Sequence, residues 1–183
     1  MTGPRIQGPP PVWLLDFDGV INALSRRGGT AIWTDWDNAT VDHPGRAFGL
    51  RLLWSGVVID TVAAAVAAGV DVRWLSTWRE DTAILPSVIP GLPVLGWLDE
   101  GLLGLPRLMD DTAWKVEVAK VFVADEVPLL WTDDSVGVEI NSVGWRGNRS
   151  GPTVFIRPRP ATGLVRREIA AIRDWIAQHT EQR

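Results

Sequence analysis

Two aspartates stand two residues apart in Asp16-Phe17-Asp18-Gly19-Val20, where a short apolar run from Val12 ends. Residues two apart on an extended strand face the same way, so both carboxylates can converge at the strand's carboxyl end. Gly19 lets the chain turn sharply there. Two carboxylates in one crevice repel each other unless a proton or a cation lies between them. An acidic turn with no chemistry is the alternative for this pair taken alone. A second pair, Asp133-Asp134, ends the apolar run Pro128–Thr132. Ser76-Thr77 ends the run Val70–Leu75, offering hydroxyls and open backbone N–H groups at a helix start, a natural cradle for phosphate. Lys115, near the start of the helix before Pro128–Thr132, can reach over the same edge. Carboxylates for a hard cation, a hydroxyl and a lysine are the kit for metal-assisted phosphoryl transfer.

Other chemistries are closed to this chain. It has no cysteine, hence no disulfide, thiolate metal site or cysteine nucleophile. Two histidines, His43 and His179, cannot build a histidine-rich metal site, and they read as a turn residue and a solvated helix end. Lys120 is the other lysine; five helical positions from Lys115 is about 140° around the axis, so only one of them can face the site. Lys115, nearer its helix N-terminus, is the better candidate.

Five strand-like runs must position these residues: Val12–Asp16, Val70–Leu75, Val94–Leu98, Pro128–Thr132 and Thr153–Ile156. Helical patterns lie between them. Ile59, Val62 and Val66 form one stripe stopped by Gly69, and a second helix is expected over Glu80 to Val88. Trp114, Val118, Val121 and Phe122 form a third stripe with Asp111 or Thr112 as N-cap, and Val165, Ile169, Ile172 and Ile176 a fourth capped by Thr162. This alternation predicts an α/β fold, a Rossmann-like parallel sheet with helices on both faces. Between Val20 and Ser55 the pattern breaks, and Ala31–Trp36 with Ala47–Trp54 reads as a β-hairpin flap beside the ligand crevice. At 183 residues the chain should hold one domain, 12–179, behind a flexible Gly/Pro-rich arm, 1–11.

Composition adds bounds. With 46% hydrophobic and 22% charged residues this is an ordinary globule and not a disordered or fibrous chain. The arm lacks the apolar stretch of a signal peptide, and Val57–Val70 is too short to span a bilayer, so a cytoplasmic protein without membrane partners is expected. The net charge of −4 argues against a general nucleic-acid coat, yet seven arginines against one acid between Arg146 and Arg173 permit a local anionic ligand.

The four motifs, in order, resemble those of the haloacid dehalogenase-like (HAD) superfamily: Asp16-Phe17-Asp18-Gly19-Val20, Leu75-Ser76, Lys115, and Trp131-Thr132-Asp133-Asp134. The resemblance covers about Val12 to Ile176. Leu75-Ser76-Thr77-Trp78-Arg79-Glu80 and Pro160-Ala161-Thr162-Gly163-Leu164 further resemble the HAD domain of Swiss Army Knife RNA-repair proteins. The resemblance implies a phosphatase in which Asp16 is the nucleophile and Asp18 the general acid and base. Ser76, or Thr77 if the strand runs one residue longer, would hold the phosphoryl group, and Lys115 would neutralise it. It implies Mg2+ on Asp16, the Asp18 carbonyl and a carboxylate of the last motif, with Asp134 favoured and Asp133 orienting Lys115 or a metal-bound water. An acid at Asp18 disfavours the dehalogenase and ion-pump branches.

Trp13, Trp74 and Trp131 read as core. Trp33 and Trp36, on the expected flap, could stack on substrate or equally pack the hairpin onto the body, with Arg79 and Arg159 as further substrate contacts. Only 57 residues separate Asp18 from Ser76 and 38 separate Ser76 from Lys115, too few for a large cap domain. An open site suits a phosphate on the end of RNA or DNA. A small-metabolite phosphatase lidded by a dimer partner and a non-catalytic HAD-fold binding protein are the alternatives.

Overall fold

The computed structural model describes residues 8–42, 49–104, 113–136 and 140–180. Its centre is a five-stranded sheet in the order β5-β4-β1-β6-β7, built from β1 (Val12–Leu15), β4 (Asp71–Trp74), β5 (Gly96–Trp97), β6 (Leu129–Thr132) and β7 (Thr153–Ile156). Every pairing is parallel, with Val12 opposite both Asp71 and Leu129. Side-chain alternation along β1 splits the core in two. Trp13 and Leu15 join Val72, Trp74, Leu130 and Ile156 on one face, beneath α2 (Gly56–Ala67) and α6 (Arg166–Thr180). Val12 and Leu14 join Leu129 and Trp131 on the other, beneath α4 (Trp114–Phe122), with Trp145 of α5 (Ile140–Asn148) against Trp131. The chain is thus a Rossmann-like α/β protein. No helix among the described residues is long and apolar enough to cross a membrane.

Between β1 and β4 lie α1 (Arg26–Thr30) and a hairpin of β2 (Trp36–Val41) and β3 (Leu50–Ser55), antiparallel, with Trp36 opposite Ser55. The hairpin starts five residues later than the sequence suggests, because the first expected strand is mostly the turn after α1. Its connection includes 43–48, so His43 lies outside the described residues, as do Asp111 and Thr112, the expected caps of α4. Of the two roles open to Trp33 and Trp36, the structure shows packing: Trp33 lies in the core and Trp36 rests against it. Trp33 is buried, with its indole N–H on the Leu164 carbonyl at 2.9 Å and Arg166 over its ring. Trp36 lies against Gly29, where a Cβ would come within 2.8 Å of the indole. A tryptophan has more to gain from burying its ring than from staying in water.

Two helix expectations also change. Glu80 to Val88 is a 3-10 turn, Arg79–Ile84, running into the short α3 (Leu85–Val88), because Pro86 has no N–H to continue an α-helical ladder from the preceding turn. Thr162 does not cap α6. Its hydroxyl serves the Arg159 and Gly163 carbonyls, while the Glu168 carboxylate accepts the Val165 N–H at 2.9 Å.

Candidate active site

The chain runs from β1 outward through β4 to β5, then returns to lay β6 and β7 on the other side of β1. The connections leaving β1 and β6 therefore diverge, opening a crevice at the carboxyl ends of those two strands, where open α/β sheets hold ligands. Asp16 follows β1 directly and Asp133 follows β6 directly. Their backbones are tied across the sheet, with the Asp16 N–H on the Thr132 carbonyl at 3.0 Å.

Lys115 enters from the first turn of α4, and its Nζ lies 2.7 Å from Asp16 Oδ2 and 2.8 Å from Asp133 Oδ2. All three side chains are buried. Lys120 instead pairs with Glu117 on the exposed side of α4. Ser76 is buried beside Asp16, whose ionised form its hydroxyl favours, while Thr77 is exposed. Asp133 is further served by the Ser135 N–H and hydroxyl at 2.8 and 2.6 Å.

These partners divide the charge unequally. Burial opposes ionisation of Asp133, but Lys115 and Ser135 prevail and hold its pKa below the ordinary carboxylate value. For Asp16 burial outweighs the attraction of Lys115, and the carboxyl is pushed up to about 6. Burial and the neighbouring Asp133 also raise Asp134. Burial acts against the Lys115 charge, but the two aspartates hold it protonated.

Asp16, Asp133 and Asp134 each offer a carboxylate oxygen within 4.8 Å of the others. One lysine faces three acids; burial first, and the neighbouring Asp133 second to it, make ionising Asp16 and Asp134 costly. An all-oxygen donor set with surplus negative charge fits a hard divalent cation. Gly19 belongs to this construction. Its φ is +72°, and a Cβ there would come within 2.4 Å of Asp134 Oδ2, so only glycine lets that carboxylate lie against the chain.

Asp18 faces elsewhere. Its Oδ2 accepts the Trp78 indole N–H at 2.9 Å, and its Oδ1 accepts the Asn22 amide at 2.6 Å. Asn22 in turn accepts the Leu53 N–H at 2.8 Å, tying the hairpin to this carboxylate. Trp78 stands in the Leu75–Glu80 motif with no role that the sequence assigns, and Asn22 carries only its nearness to Asp18 as a signal, because a side chain's direction does not follow from adjacency.

Arg79, expected at the substrate, is nine-tenths buried. Its guanidinium engages Glu100 at 2.8 Å through Nε, meets the Thr77 carbonyl and lies over Trp114. Held this way it supports the Ser76-Thr77 turn instead of facing the crevice. Arg159 is exposed and lines a cavity beside Asp134.

The fold and the acidic crevice define a Rossmann-like protein with a candidate cation and anion site at its switch point. Comparison of the chain with protein-family models, curated proteins and solved structures gives no match.

Proposed function

We propose that this chain is a HAD-type phosphomonoester hydrolase, dependent on Mg2+ and working through an aspartyl-phosphate on Asp16. The observation that carries the reading is Lys115 bridging Asp16 and Asp133 beside Ser76, at the sheet's switch point. An inert acidic turn gives no reason to bury a lysine among carboxylates, since buried charge is costly unless it serves a purpose. The same cost argues against a non-catalytic binding protein.

Asp16 attacks phosphorus, forming an Asp16–O–P bond as the bond to the leaving oxygen breaks. Asp18 gives that oxygen its proton, then takes one from the water that cleaves the acyl phosphate and regenerates the Asp16 carboxylate. To reach the leaving oxygen, Asp18 gives up or shares its contacts with Trp78 and Asn22. Ser76 and Lys115 hold the transferring group and offset its charge. Asp16 and Asp134, with the Asp18 carbonyl, would hold Mg2+, and Asp133 keeps Lys115 oriented. When bound, the ion would balance the surplus carboxylate charge and polarise the phosphoryl group.

Among the described residues, only α1, the hairpin and α2 separate β1 from β4, which supports an open site. Such a site favours a phosphate at the end of RNA or DNA over an enclosed metabolite. Release of phosphate from p-nitrophenyl phosphate tests the chemistry. Turnover with Mg2+, its loss with EDTA, and essentially none for Asp16→Asn or Asp134→Ala are expected. Full activity in EDTA, or in Asp16→Asn, would overturn the reading.

A further inference from the structure

Beside Asp134 opens a cavity of about 270 Å³, lined by Asp134, Arg157, Pro158, Arg159 and Pro160. It shares the Asp134 wall with the acidic cluster, so anything held at Asp16 has this cavity as its neighbour. Sites that enclose a whole ligand run to about 300–1,000 Å³, so this one takes a group and not a molecule.

The group it suits is an anion. Arg157 and Arg159 are exposed, and neither forms an ion pair with a carboxylate among the described residues. Among the described residues Arg157 donates through Nε to the Asp134 carbonyl at 2.8 Å, which leaves the outer nitrogens of its fork for a ligand. Planar guanidinium forks match phosphate oxygens in pairs.

The cavity wall is fixed in place. Prolines 158 and 160 restrict the chain on both sides of Arg159. The Arg159 carbonyl accepts the N–H groups of Thr162 and Gly163 at 2.9 and 3.0 Å, closing a turn. That turn is stitched to the loop after β1, through Leu24 N–H on the Pro160 carbonyl and Leu164 N–H on the Val20 carbonyl, both at 2.9 Å. Gly163 touches the same loop so closely that a Cβ would lie 2.6 Å from the Val20 carbonyl oxygen. The two arginines are therefore held in register with Asp16 and Asp18 by backbone contacts.

We propose that the Arg157–Pro160 cavity is a second-phosphate subsite, and that the preferred substrate is a phosphomonoester whose leaving group carries another phosphate. This rests on the phosphatase reading. The second phosphate comes either from the phosphodiester next to a strand's terminal phosphate or from the other ester of a small bisphosphate.

The test compares kcat/KM with Mg2+ for a 3′-phosphorylated dinucleotide, a nucleoside 3′,5′-bisphosphate and a nucleoside 3′-monophosphate. One or both doubly phosphorylated substrates should exceed the monophosphate by about tenfold or more, the worth of a charge-assisted contact. The faster of the two names the source. Arg159→Ala should bring the ratio toward one, Arg159→Lys should keep part of it, and added salt should erode it. An active enzyme with a ratio of one, or a ratio untouched in Arg159→Ala, overturns the subsite and leaves the phosphatase standing. Calorimetric binding to Asp16→Asn separates the two ideas if nothing is turned over. Tighter binding of the bisphosphate than of the monophosphate, lost in Asp16→Asn/Arg159→Ala, sustains the subsite without the hydrolase. Equal binding overturns it.

Discussion

Asp18 is held by two N–H donors, one from Trp78 and one from Asn22, and both come from segments that also build the site. Trp78 sits two residues past Ser76 and packs its ring edge-on to Phe17, with centroids 5.0 Å apart, between the two acids of the first motif. It is a positioning residue for the proposed acid. Trp78→Phe keeps the ring contact and removes the donor. The expected loss is about tenfold in kcat for alkyl phosphates, with a smaller loss for p-nitrophenyl phosphate, whose leaving group needs little protonation. Equal losses on both substrates would assign Trp78 to packing alone. Asp16, Asp133, Ser76 and Lys115 were legible in the sequence because each sits at or just past a strand end or in a first helical turn. The direction of Asp18 was not, because β1 ends at Leu15 and strand alternation no longer holds three residues later. Trp78, Arg79 and Trp33 were not. They follow turns whose path depends on partners far along the chain: Asp18, Glu100 and Leu164.

At the scale of elements, the hairpin is anchored by a cap that spans 22 positions. Ser55 precedes α2, but its hydroxyl does not cap the helix; it donates to Asp35. The Asp35 carboxylate takes the cap role, accepting the Val57 N–H at 3.0 Å, so one side chain joins the residue before β2 to the helix that β3 enters. Asp35→Ala should cost about 1 kcal/mol in stability, as for loss of an N-cap. Urea unfolding would register it, and Asp35→Asn should recover most of it. No change for Asp35→Ala would mean that water replaces the cap fully. Strand elements were legible where apolar runs are continuous: Thr153–Ile156 matches β7 from end to end. α5 was not, since Gly144 and Gly147 interrupt it and few of its nine residues are apolar. The hairpin is legible as an element, but its first strand is not legible in its bounds, because tryptophans at 33 and 36 look alike in sequence and only Trp36 enters a strand.

For the whole molecule, the switch point concentrates Asp16, Asp133 and Asp134 around one lysine, and this couples folding to protons and cations. Asp16, pushed up to about 6 from 3.8, binds more protons folded than unfolded between those values. Stability from this group is thus present below the unfolded pKa and is lost as pH rises through about 6. Asp133 runs the other way: its contribution is lost only as pH falls through its lowered pKa, below the window that matters here. Without divalent cations the melting temperature should therefore carry a falling component across this window, and Asp16→Asn, neutral throughout, should remove it. The variant should melt higher than the native chain near neutral pH in EDTA. Mg2+ reverses the balance because it requires the ionised carboxylate: its binding should release protons near pH 6, few near about pH 8, and flatten the slope. Melting scans over pH with EDTA or Mg2+, and calorimetry in buffers of different ionisation enthalpy, measure both effects. A native chain whose EDTA slope is unchanged in Asp16→Asn, or whose cation binding moves no protons near pH 6, would mean that the buried carboxylate is already ionised and that Lys115 alone balances the cluster.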